Sequence, residues 1–206
     1  MNKDTDLNME RKILDAAQEL FLDKGFEKTS TTEIAKKAGC NQALVHYYFR
    51  TKENLFHKIF VEKFHMFGSA FLGVKKQDAG FIENLKNMIS AHFDILAKMP
   101  KLPLLLLTDM IGNKERLKLL KDAIGAIPEK IFSTLGEGLD TEIAKGNIRP
   151  ISAVDLMVNI LSLNAFLFVS LPLFSEILEF DEEKKQKFIE HRKQEIIQTV
   201  ISSIKP

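Results

Sequence analysis

Apolar positions fall into helical stripes along most of this chain. Between Asn8 and Lys24, the residues Ile13, Leu14, Ala17, Leu20 and Phe21 recur at i, i+1, i+4, i+7 and i+8, which predicts an amphipathic first helix closed by Gly25. Ser30, Thr31, Thr32 and Glu33 then have capping-box spacing, worth roughly 1 kcal/mol. A second helix therefore starts at Thr31, buries Ile34, Ala35 and Ala38, and stops at Gly39. Only Gly39, Cys40 and Asn41 separate it from a third helix, Gln42 to Phe49, which Asn41 can cap. This is a tight helix-turn-helix. Val45 and Phe49, four apart, can face the first two helices, which leaves Gln42, Ala43, Leu44, His46, Tyr47 and Tyr48 spread over the other faces. Arg50 and Thr51 break that helix. Lys52 to about Phe71 reads as a longer helix carrying Leu55, Phe56, Ile59, Phe60, Phe64 and Phe67, long enough to link two domains.

The second domain is expected to begin near Asp78. Phe81, Ile82, Leu85, Met88, Ile89, His92, Phe93 and Leu96 make a strongly amphipathic helix that ends at Met99 and Pro100. Pro103 opens a very apolar segment, Leu104 to Ile111, and Gly112 with Asn113 breaks it. One helical region is expected through Leu117, Leu120, Ile124, Ile131 and Leu135 to Lys145, followed by a loop from Gly146 to Pro150. Two helices remain, roughly 153–174 and 181–204. The stretch from Leu156 to Phe174 carries no charge, but Asn159, Ser162, Asn164, Ser170 and Pro172 interrupt it and no basic cluster flanks it, so a buried core helix is expected rather than a membrane span. In the last helix Ile189, Ile196, Ile197, Val200, Ile201 and Ile204 form a stripe, and the pair suggests a four-helix interface between two copies. The expected fold is all-α: an N-terminal three-helix domain over 1–60, continued by the linking helix to about 73, and a helical bundle over 74–206.

Composition adds little to this until charge is divided along the chain. The formal net charge is +1, yet residues 28–63 hold seven basic side chains (Lys28, Lys36, Lys37, Arg50, Lys52, Lys58, Lys63) against three acidic ones, while residues 1–27 hold four basic and seven acidic. The polar start lacks a secretory signal and the single cysteine, Cys40, forms no internal disulfide and no cysteine-based metal site, so a cytoplasmic protein without metal or cofactor is expected. Clustered carboxylates at metal spacing, a nucleophile elbow and a phosphate-binding glycine loop are all missing, which weighs against a helical enzyme. A protein-interaction module remains the other alternative.

The segments ERKILDAAQELFLDKGFEKTS and TTEIAKKAGCNQALVHYYFRTKENL resemble the TetR family of bacterial repressors over about residues 9–60, in the order and spacing of Ile34 with Ala35, Ala38 with Gly39, Tyr47 to Phe49 and Lys52 to Leu55. Cys40, Ala43, His46 and Tyr48 depart from the commonest residues of that pattern. The resemblance implies a homodimeric regulator, each subunit with a DNA-reading head and a ligand-binding body, released from its operator by a small molecule. It places base-edge contacts at Gln42, Ala43, Leu44 and His46, and phosphate contacts at Thr31, Thr32, Tyr47, Tyr48 and Lys52. The chemistry is suitable: glutamine can bond an adenine edge in a bidentate way, small apolar side chains suit thymine methyls, and hydroxyls and ammonium groups suit phosphate oxygens.

For the body, the resemblance implies an effector site among the helices between Phe81 and Phe168, with Phe93, Leu96, Met99, Leu107, Met110, Met157, Asn164 and Phe168 as candidate lining. Their aromatic and methionine content suggests an apolar or amphipathic effector. His92, on the apolar stripe, reads as a hydrogen-bonded core residue.

Overall fold

The computed structural model describes residues 3–73 and 79–206, and the regular elements among them are all helical. They are α1 (Lys3–Lys24), α2 (Thr31–Ala38), α3 (Gln42–Phe49), α4 (Lys52–Gly73), α5 (Phe81–Lys98), α6 (Leu102–Leu105), a π-helical stretch Leu106–Ile111, α7 (Lys114–Ile124), α8 (Ile127–Ala144), α9 (Ala153–Ile177) and α10 (Glu182–Ser203). Three differ from expectation. The first helix starts at Lys3, because no proline or glycine interrupts the polar segment ahead of Asn8. The helical region expected through to Lys145 is two helices: Gly125 and Ala126 interrupt it, and Pro128 opens α8 in its first turn, where a missing N–H leaves no bond unmade. The segment after Pro103 winds into α6 and then widens into the π-helical stretch. The boundary expected at 73/74 and the start near Asp78 involve residues 74–78, which lie outside the described residues.

The chain divides into two compact units. The first joins the residues up to Phe64 with Leu104–Ile124; the second joins His65–Pro103 with Gly125–Pro206. The division is thus not contiguous in sequence: a stretch of about twenty residues beyond the linking helix clusters with the head. In the head unit Ile13, Ala17, Phe21, Ile34, Val45, Phe49, Leu55, Phe56 and Phe60 are buried. Phe21, Phe26 and Phe56 pack mutually at centroid distances of 4.8–5.6 Å, and Phe56 meets Phe60 at 4.5 Å. Such pairs add about 0.5–1.5 kcal/mol each beyond the area they bury.

The body core is built from one face of α5 (Leu85, Met88, Ile89, Phe93, Leu96), two residues of α8 (Leu135, Leu139), the inner side of α9 (Leu156, Met157, Ile160, Leu167, Phe168, Leu171) and the stripe of α10 (Ile196, Val200, Ile201, Ile204). The α10 stripe is therefore buried within the chain's own core. α9 is long and apolar enough to cross a membrane by length and composition, but its inner side is packed in this core. Its outer side leaves Val154, Val158, Leu161, Phe166, Leu173 and Ile177 exposed.

Candidate nucleic-acid interface and body cavity

Helices α2 and α3 are set by local chemistry. Ser30 Oγ accepts from the Glu33 amide at 3.2 Å while Glu33 Oε2 accepts from the Ser30 amide at 2.9 Å, completing the box. Glu33 also pairs with Lys24 across the turn. That bond, with those from Ser30, holds the Glu33 carboxyl well below the usual range, at about 2. Gly39 closes α2 with φ 71°, a conformation that a side chain would strain. Asn41 Oδ1 accepts from the Leu44 amide at 3.0 Å and so starts α3 at the next residue, Gln42.

The two helix starts come together through Gln42. Its Nε2 donates to Thr31 Oγ1 at 2.9 Å and its Oε1 accepts from Thr32 Oγ1 at 3.3 Å. Thr32, Gln42, Ala43, His46 and Tyr47 are exposed, while Thr31, Leu44 and Tyr48 are half-buried. The two tyrosine rings stand edge to face at 5.2 Å. Eight of the nine residues singled out for DNA contact thus lie in the first turn of α2 and along α3, with helix N-terminal amides beside them.

Lys52 has a different environment. Its ammonium donates to the carbonyls of Phe26 and Thr29, both at 2.9 Å, and lies 4.1 Å from the centroid of the Phe26 ring. It ties the α1–α2 turn to the start of α4. Lys37 and Lys58 are paired with Glu19 and Glu10. Among the described residues, Lys28, Lys36 and Arg50 have no ion-pair partner and are exposed, which makes them the free cations of this region. Sequence spacing does not single them out, because pairing is decided by α1, which lies elsewhere in the chain. Arg50 is also strained. Its φ of 64° and ψ of −52°, with Thr51 N donating to Phe49 O at 2.7 Å, form a γ-turn that only glycine adopts easily.

Within the same unit, Arg116 of α7 is almost fully buried. Its Nε and Nη2 form a fork onto Glu53 at 3.0 and 2.8 Å, and Nη1 donates to the Asp109 carbonyl in the π-helical stretch at 2.6 Å. The guanidinium lies 3.9 Å from the Phe26 centroid and 4.9 Å from that of Phe56. Sequence spacing gives no sign of Arg116, since its partner Glu53 lies 63 residues away.

In the body, a cavity of about 370 Å³ opens between the end of α4, the first half of α5 and α8. Phe71, Phe81, Leu85, Met88, Ile131 and Leu135 form its apolar wall; Asn84, Thr134, Glu137, Thr141 and Glu142 supply polar atoms. The eight residues expected to line an effector site are elsewhere. Phe93, Leu96, Met157, Asn164 and Phe168 are in the body core, Met99 is half-buried just past α5, and Leu107 and Met110 belong to the head unit, Leu107 exposed and Met110 buried. Asn164 Nδ2 donates to Ile89 O at 3.2 Å and to His92 Nδ1 at 2.9 Å, which leaves the ring proton of His92 on Nε2. Burial pushes the His92 imidazole down to about 4, so it is neutral at ordinary pH. Among the described residues no group of three or more His, Cys, Asp or Glu side chains could hold a metal ion.

Comparison with known proteins agrees with this arrangement. Residues 13–59 match the profile of bacterial regulatory proteins of the tetR family, and residues 82–200 match that of a tetracyclin repressor-like C-terminal domain. The fatty acid metabolism regulator protein of Bacillus subtilis is 29% identical over 144 residues, covering 65% of this chain and 74% of that protein. QacR of Staphylococcus aureus is 43% identical over 53 residues, 26% of this chain and 28% of that regulator. Among solved structures, Bacillus subtilis FadR in complex with stearoyl-CoA superposes with a TM-score of 0.69 at 22% identity, over 93% of this chain and 97% of that one.

Proposed function

Because the chain belongs to the TetR family of bacterial regulatory proteins and is a DNA-binding transcriptional regulator, we propose that it works as a homodimeric repressor whose two heads hold an operator in the cytoplasm until a small amphipathic effector enters the body. The observation that carries this reading is the junction of the α2 and α3 starts through Gln42, Thr31 and Thr32, beside an exposed Tyr47. Gln42, Ala43, Leu44 and His46 read base edges in the major groove. Thr31, Thr32, Tyr47 and Tyr48 hold phosphates, and Arg50, Lys28 and Lys36 join them as unpaired cations. Lys52 acts on the backbone contact chiefly through the turn it pins.

The exposed apolar side of α9 supports the homodimer. A helix with Val154, Val158, Leu161, Phe166, Leu173 and Ile177 open to water on one side and a packed core on the other calls for a second copy. An effector acts by binding one arrangement of the dimer better than the other.

Fluorescence anisotropy with the protein's own promoter DNA and with random duplex, across a range of salt, tests the DNA reading. Tight, salt-sensitive and sequence-selective binding is expected. Equal affinity for the two duplexes refutes it.

A further inference from the structure

One buried cation of the head plays no part in the DNA contacts assigned above, yet it lies against the turn that leads to them. The α1–α2 turn, from Gly25 to Ser30, takes its shape from its own bonds: Thr29 N donates to Phe26 O at 3.2 Å and Thr29 Oγ1 to Gly25 O at 2.8 Å. It carries the exposed Lys28 and delivers Thr31 and Thr32 to the start of α2. Its place against the rest of the head is set at Phe26, whose ring packs on Phe21 and Phe56 and meets two cations.

The first is Lys52, which pins the turn to the start of α4 through the Phe26 and Thr29 carbonyls. The second is Arg116, whose guanidinium lies 3.9 Å from the same centroid. Its Nη2 is also 3.8 Å from Glu27 Oε1, beside Lys28 in the turn, while its fork holds Glu53, four residues after α3 ends. One rigid, planar group thus grips the chain just ahead of α2 and just beyond α3, which fixes the entry and the exit of the helix-turn-helix relative to each other. Arg116 is itself well anchored. Asn113 Oδ1 accepts from its amide at 3.1 Å, and the Asp109 carbonyl takes Nη1. A Cβ on Gly25 would come 3.6 Å from Asp109 Oδ2, so the π-helical stretch borders the same turn.

We propose that Arg116 is a positioning residue for DNA binding: buried and out of reach of DNA itself, it sets the α1–α2 turn so that Lys28 and the start of α2 meet the phosphate backbone. The proposal rests on the reading above that this turn and α2 hold phosphates. It places a determinant of DNA affinity in α7, 63 residues along the chain from its partner Glu53.

Anisotropy of the full-length protein with its promoter duplex, at about 50 and about 200 mM salt, tests it. One phosphate contact made by a cation changes the ratio of the two affinities by about 3.5-fold. Lys28→Ala should lower the ratio by that factor. Arg116→Met should lower it by about the same factor, and the double variant by no more than either alone, because a displaced turn has already taken Lys28 from its phosphate. Partial unfolding alone would weaken binding at both salts and leave the ratio unchanged. Lys118→Ala, the same charge change on the exposed side of α7, should also leave it unchanged. Glu53, whose side chain is half-exposed, supplies a milder variant that keeps the head folded. Removing its negative charge would by itself tighten binding to DNA, so Glu53→Gln separates the two effects by sign: positioning predicts weaker binding and a lower ratio. An unchanged ratio in Arg116→Met, tighter binding by Glu53→Gln, or effects of Arg116→Met and Lys28→Ala that multiply overturn the proposal while leaving the phosphate reading intact. An unchanged ratio in Lys28→Ala refutes the phosphate reading of the turn, and the positioning with it.

Discussion

Removing the Arg116 guanidinium should destabilise the head more than any surface substitution, and the effect can be assigned to its parts. Arg116→Ala breaks the fork on Glu53, the bond to Asp109 O and the stacking on Phe26 and Phe56. The Arg116 side chain is 10% exposed but that of Glu53 is 52% exposed, so the pair lies between the buried and surface cases. A fully buried pair loses about 3–5 kcal/mol when broken and an exposed one about 0–1, which places this coupling at about 1–2 kcal/mol. The desolvated cation over two rings adds about 1–2 kcal/mol, and the carbonyl bond about 1. Arg116→Ala should therefore cost about 3–5 kcal/mol, Glu53→Gln about 1, and the double-mutant cycle should return about 1–2 kcal/mol of interaction. Arg116→Lys should rescue little, because an ammonium cannot make the planar fork. The assay is convenient: the chain has no tryptophan and its two tyrosines, Tyr47 and Tyr48, are both in the head, so tyrosine fluorescence during urea unfolding reports that unit. A coupling below about 0.3 kcal/mol, inside the error of additivity, would refute the clamp.

Gln42→Ala should relax preference at particular base pairs by about 1–3 kcal/mol each, whereas Tyr47→Phe should weaken all duplexes alike; operator-variant anisotropy separates the two. Arg50→Gly should raise the urea midpoint of the tyrosine transition by relieving about 1 kcal/mol of backbone strain, while lowering DNA affinity and its salt slope. His92 has its folded pKa lowered, from about 6.5 to about 4, so the stability it confers is complete above about 6.5 and falls with pH by at most about 1.4 kcal/mol per unit down to about 4. The acid limb of body unfolding, followed by circular dichroism against pH, should be flatter in His92→Gln; an unchanged limb contradicts this. Val158→Asp on the exposed side of α9 should convert dimers to monomers in analytical ultracentrifugation without altering the subunit's helicity.

What the sequence made legible was local. The Ser30 box, the Asn41 cap and the starts of α2 and α3 each depend on residues within three positions, so the head could be drawn from spacing alone. The break at Gly125 carried its own signal, a glycine three residues ahead of Pro128, but the apolar period running through Leu120, Ile124 and Ile131 masked it. Non-local choices were not legible. A lysine at position 52 looks free in sequence, and only the fold brings it to two carbonyls more than twenty residues away. Likewise an apolar stripe such as that of α10 cannot say which partner it meets; here it meets α5 and α9 of its own subunit, and the side left open belongs to α9. The candidate effector residues share the apolarity that builds a core, and Phe93, Leu96, Met157 and Phe168 lie in it. The cavity instead occurs where small and polar residues, Thr134, Gly138 and Thr141, thin the packing of α8.

The hydrogen bonds of Gln42 bear on how such a head could discriminate. In the free protein its amide is already satisfied by Thr31 and Thr32, so contact with an adenine edge exchanges bonds rather than adding them. The exchange frees the Thr32 hydroxyl proton at the start of α2, where a phosphate oxygen can take it, whereas Thr31, whose oxygen accepts from Gln42, can donate to a phosphate in either state. A correct base therefore gains on both sides of the exchange, and a wrong base leaves the Thr32 proton on Gln42 and its phosphate unserved. On this scheme Thr32 should contribute to specificity as well as to affinity. Thr32→Val should accordingly weaken binding to the operator more than to random duplex, whereas loss of a threonine serving phosphates alone would lower both by the same factor.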